Sequence, residues 1–70
     1  MTPADLKAAL ATLGWTTGGL ARFLGADVDR VRNWVRQDVT YRVPPDVAAW
    51  LTRRVAFHRR MMEDDPPPGS

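Results

Sequence analysis

The side chains with the richest chemistry lie on one side of the stretch Val28 to Gln37. If the stretch is a helix with Val31 at the centre of its buried face, a rotation of about 100° per residue puts four polar side chains opposite. These are Asp29, Asn33, Arg36 and Gln37. Arg30 and Arg32 flank the four on either side.

These side-chain types suit the base edges exposed in a DNA groove. Arginine can donate a pair of hydrogen bonds to guanine, asparagine and glutamine can pair with adenine, and aspartate can accept from cytosine. Asp29 would face phosphates unless paired, so it favours a chosen base or an arginine partner, and Arg32 is nearest. The alternative is an ordinary solvated face, because any surface helix carries polar residues opposite its apolar stripe.

The elements that must position this face are two short helices within Thr16 to Gln37. Apolar residues in each half recur at the i, i+3, i+4 spacing of a one-sided helix, so the two halves are predicted to share a buried face. The apolar residues are Leu20, Phe23 and Leu24, then Val28, Val31, Trp34 and Val35.

A three-residue turn is predicted between the two helices. Gly25 suits the position just past a helix end where φ is often positive, and Asp27 is a good N-cap for the next helix. Ala21, one turn earlier, is small enough to let the second helix cross closely.

A first helix is predicted from Pro3 to a stop at Gly14, with Thr2 and Asp5 forming a capping box. Its apolar stripe would pack on the other helices, and Trp15 would cover the core as a lid. The stripe consists of Leu6, Leu10 and Leu13.

A set of small and apolar residues in the two central helices carries a family resemblance. The set is Leu20, Ala21, Leu24, Gly25, Val31 and Trp34. It resembles the helix-turn-helix of the Cro/C1 (XRE-like) repressors, and the likeness covers roughly residues 4 to 55. The resemblance implies a lambda-repressor-like, all-α bundle of four to five helices whose reading helix enters the major groove of DNA.

Outside the reading helix, the chain differs from the family at two positions, and the resemblance implies further DNA contacts. Thr17 stands where the family often has a glutamine that braces the DNA backbone, and Gly19 where it has a glutamate. Either the amides at this helix start contact phosphate directly, or this helix contributes less than usual. The loop after the reading helix would run past phosphates, which makes Tyr41 and Arg42 candidate DNA contacts; packing is the alternative for Tyr41.

The last helix, predicted from Pro45 to Met62, has more apolar surface than one core needs. One stripe should close the core: Val47, Leu51, Val55 and Met62. A second stripe, displaced by about 100°, is either a wider core contact or a subunit interface, and we favour the interface. The second stripe is Trp50, Phe57 and Met61.

Composition bounds the remaining classes. The 70 residues include no cysteine and one histidine, the net charge is +2, and 44% of the residues are hydrophobic. We therefore expect one small domain over residues 1–62 and a disordered acidic tail over 63–70. Neither a signal peptide nor a membrane span is evident. A chain this short buries only about 60% of its unfolded surface, so a partner subunit would help its stability.

Nine of the ten basic residues are arginines, a bias that suits phosphate and guanine contacts but also follows from a GC-rich genome. Catalytic signatures are lacking, since there is no converging carboxylate pair and Gly18 with Gly19 is too weak a signal for nucleotide binding. We expect no enzyme, metal or cofactor.

The sequence thus predicts a cytoplasmic, nucleoid-associated bacterial or phage repressor or autoregulator. It would bind an inverted-repeat operator in double-stranded DNA as a homodimer. Two alternatives remain, both using the face of Trp50, Phe57 and Met61. One is a protein-interaction adaptor, and the other is an antitoxin or accessory protein of a mobile-element system with a protein partner.

Overall fold

The computed structural model describes residues 1–36 and 42–69. All the regular secondary structure in these residues is helical. Within these ranges there are four helices and no strand. They are α1 (Pro3–Leu13), α2 (Thr17–Leu24), α3 (Val28–Val35) and α4 (Pro45–Asp64). The all-α prediction is therefore confirmed, and no described helix has a long enough apolar run to cross a bilayer.

The first helix begins and ends where local sequence predicts. The Asp5 N–H donates to Thr2 Oγ1 at 3.1 Å, and the Thr2 N–H donates to Asp5 Oδ2 at 3.0 Å, which completes the capping box. The Thr2 backbone N–H that donates to this carboxyl, and secondarily the Thr2 hydroxyl, hold the pKa of Asp5 below its ordinary value, because hydrogen-bond donors favour the ionised form.

The turn between α2 and α3 also forms as predicted. Gly25 has a φ of 63°, a left-handed conformation that costs glycine little and other residues more. The Ala26 N–H then donates to the Ala21 carbonyl at 2.9 Å, which satisfies a carbonyl at the end of α2. Asp27 caps α3 by accepting the Asp29 N–H at 2.9 Å. The direction of α3 is thus set by interactions within a few residues.

One core joins the four helices. α1 packs against α3 and α4, and α2 packs against α3. Each of the four most deeply buried side chains contributes about 1.5–3 kcal/mol from removal of apolar surface from water. These are Leu6, Leu20, Val31 and Leu51. The core also contains Leu10, Ala21, Trp34 and Val43.

Two apolar residues predicted for the core are exposed instead. Phe23 is 65% exposed, because the buried side of α2 centres on Leu20, Ala21 and Leu24, about 100° away around the helix. Met62 is 44% exposed, since it lies beyond the part of α4 that packs on the core.

Helix ends differ from the predicted ends in α3 and α4. α3 stops at Val35 rather than Gln37, because Arg36 adopts an extended conformation with φ −75° and ψ 133°. α4 continues past Met62 to Asp64, so the disorder predicted from residue 63 does not hold for Glu63 and Asp64. Asp65 leaves the helical conformation just before a run of prolines, as the clash between a proline ring and the preceding residue requires.

Candidate nucleic-acid interface

The polar face of α3 points outward from the core. Val31 and Trp34 are buried on one side of this helix, while Asp29, Arg30 and Arg32 are exposed. Asn33 is half-buried between them. The face predicted from helical periodicity is therefore present over Asp29 to Asn33, in a helix fixed at its start by Asp27.

One ion pair lies on this face, and it joins Asp29 to Arg32, the arginine that the spacing made its nearest candidate partner. Arg32 Nη1 lies 3.2 Å from Asp29 Oδ1, one turn apart on exposed sites. An exposed pair of this kind contributes roughly 0–1 kcal/mol to stability. Its electrostatic consequence matters more, because the Asp29 carboxylate is balanced within the helix rather than left to repel a polyanion.

Arg30 lies over the ring of a buried tryptophan. Its guanidinium carbon is 5.8 Å from the centroid of Trp34, which is only 5% exposed. A cation over an aromatic face is attracted to it and loses side-chain freedom before any ligand arrives. Sequence reasoning did not identify this contact, although the i, i+4 spacing of Arg30 and Trp34 would allow it.

A shallow concavity of about 490 Å³ joins α3 to the segment that enters α4. It brings together four of the predicted DNA contacts from two parts of the chain. They are Asp29, Arg30, Asn33 and Arg42. Asp27, Trp34 and Pro44 complete the lining.

The other predicted contacts lie outside this concavity. Arg32 and Arg36 are exposed and do not line it, and Arg36 follows the helix instead of lying on its outer face. Thr17 is half-buried as the first residue of α2. Gln37 and Tyr41 fall outside the described residues.

The start of α2 has a closely packed first turn. Thr16 Oγ1 accepts the Gly19 N–H at 2.9 Å, and the Thr16 carbonyl accepts the Leu20 N–H at 2.9 Å. A Cβ at position 19 would lie 3.3 Å from that hydroxyl oxygen, which is tighter than most such contacts. The departure to glycine at this position therefore fits local packing of the cap.

The predicted interface residues of α4 divide into two kinds. Trp50 is half-buried and packs on Trp15, with 5.7 Å between ring centroids, so part of its surface makes a core contact within its own chain, and its interface role stays a prediction. Trp15 lies in the connection between α1 and α2, so its contact with Trp50 of α4 is a tertiary contact. Periodicity within one helix cannot reveal such a contact. Phe57 and Met61, in contrast, are 58% and 50% exposed.

The comparisons with known proteins add no relative. No family model matches the chain, and no curated protein or solved structure matches it either. The likeness to the Cro/C1 repressors therefore depends on the residues of the central helices and their turn.

Proposed function

We propose that this protein binds double-stranded DNA in a sequence-specific manner, with α3 in the major groove, as a lambda-repressor-like, Cro/C1-type regulator. The observation that carries the proposal is the single concavity in which Arg30 and Asn33 of α3 meet Arg42 from the following segment. Such an arrangement combines side chains that can read bases with one that can hold the backbone.

The dimensions of α3 suit this role. An α-helix with its side chains is about 10–12 Å in diameter, which fits the roughly 12 Å width of the major groove, and the eight residues of α3 form about two turns. Only its polar side would meet the bases, because Val31 and Trp34 hold the other side against the core. The helix can therefore enter the groove without exposing the core.

The charges around α3 favour a polyanion. Asp29 is paired with Arg32, and Asp27 accepts an amide hydrogen bond at the helix start. Arg30 and Arg42 make no ion pair within the described residues, so their charges are available to phosphates or guanine edges. Neutralising phosphates in this way releases counterions and makes binding depend steeply on salt.

Individual roles follow from position. Asn33, half-buried at the middle of the polar face, would pair with adenine, and Arg30, restrained by Trp34, would donate to guanine. Arg42 and Arg36 would contact phosphates, as would the Thr17 and Gly18 amides at the start of α2. Gln37 and Tyr41 keep their predicted roles as contacts.

The biological activity we propose is transcriptional repression or autoregulation by a cytoplasmic, nucleoid-associated protein of bacterial or phage origin, through occupation of promoter DNA. A homodimer would present two copies of α3 to successive major grooves about 34 Å apart, which calls for an inverted-repeat operator.

The test begins with selection of bound duplexes from a random pool, followed by titration of the selected duplex over a range of salt concentrations. Asn33→Ala and Arg30→Ala should each weaken binding by roughly 1–3 kcal/mol, because each removes one base contact. Arg59→Ala is the matched control, since Arg59 is exposed on α4 and lies in a different concavity, beside α1. Equal affinity of all three variants, or binding that ignores salt, would overturn the proposal.

A second candidate function is supported by the exposed Phe57 and Met61. In it this side of α4 binds another protein. In an adaptor the helix-turn-helix would be only a scaffold, whereas an antitoxin or accessory protein of a mobile element would bind DNA as well. Absence of salt-dependent duplex binding, together with a monomeric state, would favour the adaptor.

A further inference from the structure

The C-terminal part of α4 is helical although its own chain does not cover it. Every residue from Arg59 to Asp64 is exposed, yet the helix continues through all six. Isolated helical segments are marginal in water, because most helical stability in proteins comes from packing of an apolar face. A covering surface would therefore stabilise this part of α4.

One line of side chains runs along the uncovered side of α4. Its members are separated by four, three, four and three residues, the alternation that keeps side chains in line along a helix. They are Trp50, Arg54, Phe57, Met61 and Asp64. Trp50 is occupied by Trp15, so four residues remain for a partner, and we name these four the α4 seam.

The chemistry of the α4 seam is self-complementary when it is read in opposite directions. Arg54 and Asp64 lie at its ends, and Phe57 and Met61 lie between them. Both pairs have the same midpoint, position 59. A two-fold axis through that point would therefore bring arginine opposite aspartate and phenylalanine opposite methionine, twice each.

We propose that a second copy of this chain packs antiparallel along the α4 seam. In this pair Phe57 packs against Met61 of the partner subunit, and Arg54 forms an ion pair with Asp64 of the partner subunit. Isologous contact of this kind is the commonest way in which two identical chains associate.

The charges at the two ends of the α4 seam select this occupant and this direction. Neither Arg54 nor Asp64 forms an ion pair within the described part of its own chain, so both charges are available across the axis. A parallel, in-register pair would place Arg54 against Arg54 and Asp64 against Asp64, which is repulsive. Arg54 is also prepositioned, since its guanidinium carbon lies 5.3 Å from the Trp50 ring centroid.

This inference rests on the homodimer within the proposed function and gives it a register. It does not require DNA, so the two can fail separately. A dimer that binds no duplex would remove the DNA proposal alone, and a monomer that binds one half-site would remove this inference alone.

The experiment measures the mass of the full chain without DNA by sedimentation equilibrium over a dilution series. Arg54→Glu and Asp64→Arg should each raise the dimer dissociation constant roughly tenfold, because two ion pairs become two repulsions per dimer. The double variant Arg54→Glu/Asp64→Arg should return close to the wild-type value, because it restores both pairs with the charges exchanged.

Two further variants separate the α4 seam from general effects. Phe57→Ala should weaken the dimer by roughly a hundredfold, because aromatic anchors dominate interfaces. Lys7→Glu, on exposed α1, changes the net charge as much as Arg54→Glu and should leave the dimer unchanged. Circular dichroism checks that each variant is folded. A monomeric wild type at its highest soluble concentration, or a double variant as weak as the single variants, would overturn the proposal.

Discussion

The exposed sides of α3 and α4 differ in their chemistry. α3 has a side-chain cap from Asp27, buries Val31 and Trp34, and exposes polar residues of which two are paired with each other. α4 has no side-chain hydrogen bond from its N-cap residue Pro44, and it exposes Phe57 and Met61 with unpaired charges on either side.

The difference separates two kinds of partner. A polar face with restrained arginines suits a hydrated, charged groove, where phosphate and base contacts replace water. An apolar pair flanked by charges suits a protein surface, in which the centre becomes dry and the rim stays polar. In the proposed function the molecule would use both faces at once, α3 for DNA and α4 for a second copy.

The largest expected effect is loss of folding when the buried side of α3 is removed. Trp34→Ala should destabilise the protein by about 3–5 kcal/mol, which is comparable with the whole stability of a domain this small. Chemical denaturation followed by circular dichroism should then show no cooperative transition. Arg30→Ala, which removes the cation and keeps the ring, should melt nearly as the wild type does. If Trp34→Ala melts at the wild-type midpoint, Trp34 does not anchor α3.

An intermediate effect should distinguish the two aromatic residues of α4. In dilute solution, Trp50→Ala should lower the free energy of unfolding by roughly 1.5–3 kcal/mol, because Trp50 is half-buried against Trp15. Phe57→Ala should change it by only about 0.5 kcal/mol, as expected for an exposed site. Urea denaturation below the dimer dissociation constant measures both. Equal losses would show that Phe57 also packs within its own chain.

The smallest effect concerns acid and the start of α1, which has the side-chain cap that α4 lacks. The folded pKa of Asp5 is lowered, so the stability from its hydrogen bonds with Thr2 is fully present above the unfolded pKa of roughly 3.9. That stability is lost as the pH falls through the lower folded pKa. An NMR titration of the Asp5 carboxyl should show a midpoint below that of an unstructured peptide, and Thr2→Ala should raise it. A wild-type midpoint equal to that of an unstructured peptide would rule out the capping box as a cause of a lowered pKa.

The elements and the outer face of α3 could be predicted because their determinants are local. Thr2, Asp27 and Gly25 act on atoms within a few residues, and the rotation of about 100° per residue is the same in every helix. The contact between Arg30 and Trp34 lay within reach of the same reasoning, since the two residues are one turn apart. Periodicity identifies the apolar face of a helix, but it does not show which residues of that face pack against another helix.

Sequence by itself determined the all-helical class, the turn at Gly25 and the polar side of α3, and it named Arg32 as the nearest candidate partner of Asp29, since each depends on neighbours along the chain. Only the tertiary structure decided that Phe23 is exposed, that Trp50 packs on Trp15, and that Arg42 shares a concavity with Arg30. The physical reason is that burial and convergence depend on how helices lie against one another. That arrangement results from packing of the whole core around Leu6, Leu20, Val31 and Leu51 rather than from any single segment.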